Sequence, residues 1–239
     1  MGFWSKFKKA VKKIAKKVWQ KVKAVARTVS RIIIEALGRL VNVVDLLFGF
    51  ATWPSKYLRL HIAVLRQADG TPVVDPVDLD VAIEHVRKVL KEQLNIKLKP
   101  YGKTFVEVLD QPAPDYALNV SCNGGALKEE YGNAGEYFAG KLAGWNGVPI
   151  TVKFPITAFI VQDVKDKAGC SLGPLSDYVT VDPNGVKNIS TLMHEIGHAC
   201  GLWHVGSSSN LMKANLPRGE DLRGWQKNMF RSSRHVTYW

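Results

Sequence analysis

Apolar residues at Phe3, Phe7, Val11, Ile14, Val18, Val22, Val25, Val29 and Ile32 recur in steps of three and four, and lysines fill the opposite face. The step averages about 3.6 and predicts an amphipathic helix at the start of a helical segment covering residues 2–48. Residues 32–50 are more apolar but carry Glu35, Arg39 and Asp45, each costing about 3 kcal/mol at the centre of a bilayer. They therefore read as a second amphipathic helix rather than a membrane span. Gly38 and Gly49 are the expected break points, and Trp53-Pro54 closes the region.

From residue 56 the pattern becomes that of a mixed α and β domain. Residues 57–66 alternate and predict a strand, and an Asp69-Gly70 turn follows. Asp78 is the expected N-cap of a helix running to about residue 94, with Val81, His85, Val89 and Leu90 at helical spacing. Strand-like runs occupy 104–109, 116–122, 151–161 and 177–181, whereas the glycine-rich stretch 123–147 predicts loop with a short helical piece. A helix capped by Asn188 or Ser190 should reach Gly201, and a last helix should cover 220–231. The fold class implied is α+β, with a basic helical segment at 1–53 and a mixed domain at 54–239.

Charge alters that picture only locally. The net charge of +12 suggests nucleic acid until it is placed, because residues 1–31 hold eleven basic residues and no acid. The rest of the chain carries 22 basic against 21 acidic residues and is almost neutral. Three cysteines are too few for a disulfide scaffold, and Cys122–Cys170 is the preferred pair because Cys200 falls in the helix described next.

The chemistry is concentrated in residues 190–204. His194 and His198 lie four apart, so a helix projects both imidazoles from one face toward one metal ion. Glu195 stands beside them, where it can take a proton from an attacking water. A straight helix could not also bring His204 to that ion. Gly201 resolves this, since glycine tolerates the left-handed conformation that ends a helix and turns the chain back. Three neutral imidazoles around Zn2+ leave a coordination position open, the arrangement of a catalytic rather than a structural site. His61 and His85 fit strand and helix patterns as structural residues, and His235 reads as a surface residue.

The run His194-Glu195-x-x-His198-x-x-Gly201-x-x-His204 resembles the metzincin zinc-peptidase signature. Ser209-Asn210-Leu211-Met212 resembles the family's Met-turn, with Met212 beneath the metal. The resemblance implies a zinc endopeptidase with a twisted mixed sheet and an active-site helix. It also implies a cleft-lining edge strand, placed in 151–161, onto which a protein or peptide substrate adds in extended form. Two positions depart from the pattern. Ala214 stands where some metzincins carry a tyrosine near the metal, and Val205 stands where a serine often follows the third histidine. His235 or Tyr238 is left as a candidate partner for the oxyanion.

The basic helix resembles cationic amphipathic antimicrobial peptides. Nucleic-acid binding would use the charge but gives no reason for the apolar stripe, whereas an anionic membrane surface uses both through residues 2–48. Two roles follow: a peptidase targeted to membranes, or a membrane-disrupting toxin or effector whose peptidase domain serves processing or release. The segment lacks the form of a secretory signal, so the expected location is secreted or membrane-associated by another route.

Overall fold

The computed structural model describes residues 3–41, 43, 55–123, 129, 132–143 and 154–238. Helix α1 spans Phe3–Val41 without interruption. Gly38 does not break it. A Cβ there would lie 3.1 Å from that of Arg234, so the missing side chain lets α1 approach the rest of the protein closely. The predicted break at Gly49 and the Trp53-Pro54 closure lie outside the described residues.

Strand β1 (Lys56–Arg66) organises the sheet. A 3-10 turn at Pro76–Leu79 then leads into α2 (Asp80–Leu94). Asp78 does not cap α2, whose N-cap position is Leu79; the capping side chain is Asp75, which starts the 3-10 turn by accepting from the Val77 N–H at 3.0 Å. Pro76, which has no N–H to satisfy, starts the turn one step earlier than the apolar spacing indicates. Strand β2 (Ile96–Pro100) pairs parallel with the first half of β1, and β3 (Val106–Pro112) with the second half. Residues 116–122 are not a strand: Asp115–Leu118 forms the short helix α3, and only Asn119–Val120 extends as β4. Pro114 supplies the fixed φ that starts α3 and overrides the alternation.

Next come α4 (Asn133–Ala139), β5 (Ile156–Ile160), β6 (Asp163–Val164), β7 (Gly169–Ser171) and β8 (Tyr178–Val181). Helices α5 (Pro183–Lys187), α6 (Ser190–Ala199) and α7 (Gly224–Arg231) and strand β9 (Val236–Thr237) complete the described chain. The principal sheet runs β2-β1-β5-β8-β7, with β3 and β9 also paired to β1. Only β7 and β9 run antiparallel to their partners. It is therefore the mixed sheet expected of the α+β class, and α6 packs against it.

Alternation divides the sheet's side chains between two faces. Leu60, Ile62 and Val64 of β1, with Ile156, Ala158 and Ile160 of β5, meet α2 and α6. Ala63, Leu65, Phe159 and Val161 point the other way, onto Phe138, Leu118 and Tyr178. A sheet covered on both faces explains why β5 reads as an unbroken apolar run, every residue of it buried.

Helix α1 inverts the usual logic of an amphipathic helix. The face it turns to the domain is charged, with Arg31 and Glu35 buried. Arg31 Nε donates to Asp177 at 2.7 Å, and Arg234 Nη1 donates to the other Asp177 oxygen at 2.5 Å. Glu35 pairs with Arg234 at 3.2 Å and with Arg39 at 2.8 Å, and Arg39 donates to Ser232 Oγ at 2.8 Å. Meanwhile Val18, Trp19, Val22, Val25, Val29 and Ile32 stay exposed. No helix among the described residues is long and apolar enough to cross a membrane.

Candidate metal centre

Helix α6 turns Leu192, Met193, Ile196 and Ala199 into the core beneath the sheet. Its other face carries His194, Glu195 and His198 toward a cleft of about 610 Å³. Asn188 steadies the start of the helix by accepting the Ser190 hydroxyl at 2.8 Å, and Ile189 occupies the cap position itself. Past Ala199 the chain reverses at Gly201, whose φ of +90° suits only a residue without Cβ. That reversal brings His204 back onto the same point.

The three imidazoles meet through Nε2: His194 to His198 at 3.1 Å, His194 to His204 at 3.2 Å and His198 to His204 at 3.0 Å. Nδ1 of His194 donates to the Leu211 carbonyl at 2.9 Å, and Nδ1 of His198 to that of Leu202 at 2.8 Å. Those carbonyls fix the tautomers of His194 and His198, so the Nε2 of each is left as a bare lone pair. Lone pairs facing one another this closely repel, and a cation between them removes the repulsion. Metal–nitrogen bonds of about 2.0–2.1 Å in a tetrahedral site place the nitrogens about 3.3 Å apart, close to the observed spacing. The donor set thus fits a zinc-type ion, and these three residues are the group among the described residues that could hold one. Burial also keeps the rings neutral, lowering His194 to about 3 and His198 to about 4.

The segment 209–212 binds both ends of this arrangement together. Leu211 supplies the carbonyl for His194, while the Met212 carbonyl accepts from the Val205 N–H at 2.9 Å, next to His204. Asn210 accepts from the Met212 N–H at 2.9 Å and exchanges hydrogen bonds with Gln226 of α7. Both partners are buried. Met212 lies against the bare backbone of α6 at Gly197, where an added Cβ would come within 2.6 Å of its sulfur. Neither Gly197 nor the Asn210–Gln226 pair was singled out in the sequence. Their importance arises from contacts between segments, which no local pattern announces.

Glu195 is buried, which pushes its carboxyl up to about 8 against the opposing pull of Arg218 and Lys167. Gly169 of β7 backs it: a Cβ there would sit 3.0 Å from Glu195 Cγ and Oε1. Strand β7 also corrects an expectation. The strand found within 151–161, β5, is not an edge strand, because it is enclosed between β1 and β8. Among the described residues the edge beside the cleft is β7, whose Gly169, Cys170 and Ser171 line it and whose partner strand is β8. Cys170 is bonded to Cys122, both at the cleft wall, and Cys200 remains a free thiol raised by burial to about 12.

His235 is not a surface residue. It is buried, with Nδ1 donating to the Phe154 carbonyl at 2.9 Å, and burial lowers it to about 3. Strand β9 draws it inside by pairing with β1. Tyr238 lies under the Lys56 ammonium at 4.3 Å. Neither residue lines the cleft, so neither reaches an oxyanion there.

No family model matches this sequence. No curated protein matches it either. Among solved structures, metalloproteinase-II from Bacteroides fragilis is similar at 18% identity and a TM-score of 0.43, over 72% of this chain and 54% of that one. The chain thus spans about half the length of that protein. Mature mirolysin of Tannerella forsythia, solved with a cleaved peptide, is similar at 14% identity and a TM-score of 0.42, over 70% of this chain and 73% of that one.

Proposed function

We propose that this chain is a zinc-dependent endopeptidase in which His194, His198 and His204 hold the ion and Glu195 is the general base. The observation that carries the reading is the convergence of three Nε2 lone pairs, two of them aimed by backbone carbonyls, beside a buried carboxylate. When bound, zinc supplies Lewis acidity to the attacking water and the scissile carbonyl, and a positive field that favours ionised Glu195. Glu195 accepts the water's proton on its carboxylate and delivers it to the leaving amine nitrogen. Gly169 leaves the room that carboxylate occupies, since a Cβ there would lie 3.0 Å from its Cγ and Oε1. Met212 and Gly201 support the site, one by packing under α6 and the other by turning the chain toward His204. A peptide substrate adds alongside the free edge of β7.

Metal content and casein cleavage by the full-length chain test this reading. One zinc per chain is expected, with cleavage lost on chelation and restored by zinc. Cleavage that survives complete removal of the metal would overturn it.

The domain arrangement belongs to the same proposal: a basic helical segment in 1–53 and the peptidase in 54–239. The helix brings the enzyme to anionic membrane surfaces. An exposed apolar stripe of this length marks an interaction surface on a protein that has otherwise buried its core. Exposed Lys12, Lys13, Lys16, Lys17, Lys21 and Lys23 flank it, and this pairing of apolar face and cations suits a lipid interface. The full chain is expected to sediment with vesicles containing phosphatidylserine and to remain in solution with neutral ones. Val22→Glu and Val29→Glu together should abolish sedimentation without lowering the Tm, since both side chains are exposed. Equal binding by the double variant would remove the stripe from the account.

A further inference from the structure

The cleft that holds the three histidines is also lined by Trp203, whose side chain is 71% exposed, more than any other large apolar residue among those described. Its backbone is fixed on both sides. The Leu202 carbonyl accepts from His198 Nδ1 at 2.8 Å, and the Val205 N–H donates to the Met212 carbonyl at 2.9 Å. The contacts that build the metal site therefore also hold the segment that carries the indole. A tryptophan side chain has two χ angles, so a fixed backbone presents a large, rigid apolar surface at little cost in entropy. Leu216, 43% exposed, is a second apolar side chain of the same cleft. Apolar area left in water at a binding site gains by being covered when a ligand enters.

Charge decides what covers it. The face of an indole is the negative end of its quadrupole, so it repels a carboxylate and welcomes an apolar group or a cation. The cleft in turn opposes a cation: Lys167, Arg218 and the proposed Zn2+ outweigh Asp166 and Glu195, the two acids that line it. An uncharged apolar group satisfies both conditions. Resting on the peptidase reading, we propose that Trp203 is the specificity determinant of this cleft and packs on an aromatic or large aliphatic side chain of the substrate next to the scissile bond.

One fluorogenic peptide carrying phenylalanine, leucine, alanine, glutamate or lysine beside the scissile bond, on each side in turn, tests this. Cleavage is measured with the full chain, and binding is measured with Glu195→Gln by fluorescence anisotropy. Phenylalanine and leucine are expected to raise kcat/KM and affinity about 10- to 100-fold over alanine, and glutamate and lysine to bring no gain. Trp203→Ala should erase most of that gain and Trp203→Phe should keep much of it. Zinc content and Tm should stay unchanged in both, because the indole is exposed. The side of the scissile bond on which the gain appears identifies the substrate position that Trp203 covers. A gain that survives intact in Trp203→Ala, or a preference for glutamate or lysine over phenylalanine, would overturn the proposal. Trp203-dependent binding of the phenylalanine peptide to Glu195→Gln without cleavage by the full chain would uphold the apolar subsite and sink the peptidase reading instead.

Discussion

Replacing Glu195 with alanine is expected to leave zinc bound and lower kcat by about a thousandfold or more, on the order of 4 kcal/mol of lost transition-state stabilisation. Glu195 is not one of the three converging donors, so its removal leaves the ligand set and its supporting carbonyls intact. No other acid is placed to take over. Asp166, the remaining carboxylate lining the cleft, is exposed and so lacks the burial that holds Glu195 in its cleft position. Mass spectrometry for zinc and initial-rate kinetics on casein check both halves together. A variant with full metal and full activity would refute the assignment of Glu195, and one with neither would recast it as a residue that holds the site together.

Asp177→Asn is expected to destabilise the protein by about 3 kcal/mol or more at neutral pH. Asp177 is the centre of the cluster that docks α1, holding Arg31 and Arg234, both almost fully buried. Removing its charge takes from both guanidiniums the buried carboxylate they share, and breaking a buried ion pair typically costs about 3–5 kcal/mol. Burial alone would raise the Asp177 carboxyl, but Arg234 and Arg31 outweigh it and hold the group at about 2. A depressed folded value means the carboxylate stabilises the fold at pH values above its ordinary 3.8, and that stabilisation is lost as the pH falls toward 2. The part visible in titration is about 2–3 kcal/mol. Calorimetric Tm should therefore differ widely between the two proteins at pH 7, and the gap should close as the pH falls toward 2. A gap that stays constant with pH would show that charge is not what Asp177 contributes.

The same cluster bears on where an active fragment can begin. Cutting at residue 53 removes Arg31, Glu35 and Arg39 and exposes Asp177 and Arg234 to a space they do not fill. Arg39 also approaches the turn that follows the histidine helix, since a Cβ on Gly201 would lie 2.6 Å from its Nη2. The docked half of α1 thus bears directly on the turn that positions His204, and the full chain is the form to assay.

Much of the fold was legible from local pattern. Strands β1 and β8, helix α2 and the histidine helix all carry periodicity and end signals within their own residues. Strand β2 follows α2 after a single residue, and β9 is two residues long, so neither offered a pattern long enough to recognise. The error over 116–122 came from reading alternation where a proline had already set a helical turn. The burial of His235 depends on a pairing between chain segments almost 180 positions apart, which leaves no trace near residue 235.

What the sequence determined by itself is the chemistry of the candidate site: which imidazoles meet, because helical spacing and one left-handed glycine dictate it, and which carboxylate stands beside them. Tertiary structure alone decided everything that depends on how distant segments meet. It selected β7 as the strand at the cleft, aimed two imidazoles with carbonyls of Leu202 and Leu211, and set Arg218 against the cleft. It also turned the charged face of α1 inward and left the apolar one outside. The physical reason is that periodicity specifies which residues share a face, whereas the partner of that face is chosen by the free energy of the whole packing. For α1 that choice rests on Asp177, Arg234 and Ser232, more than 130 residues along the chain.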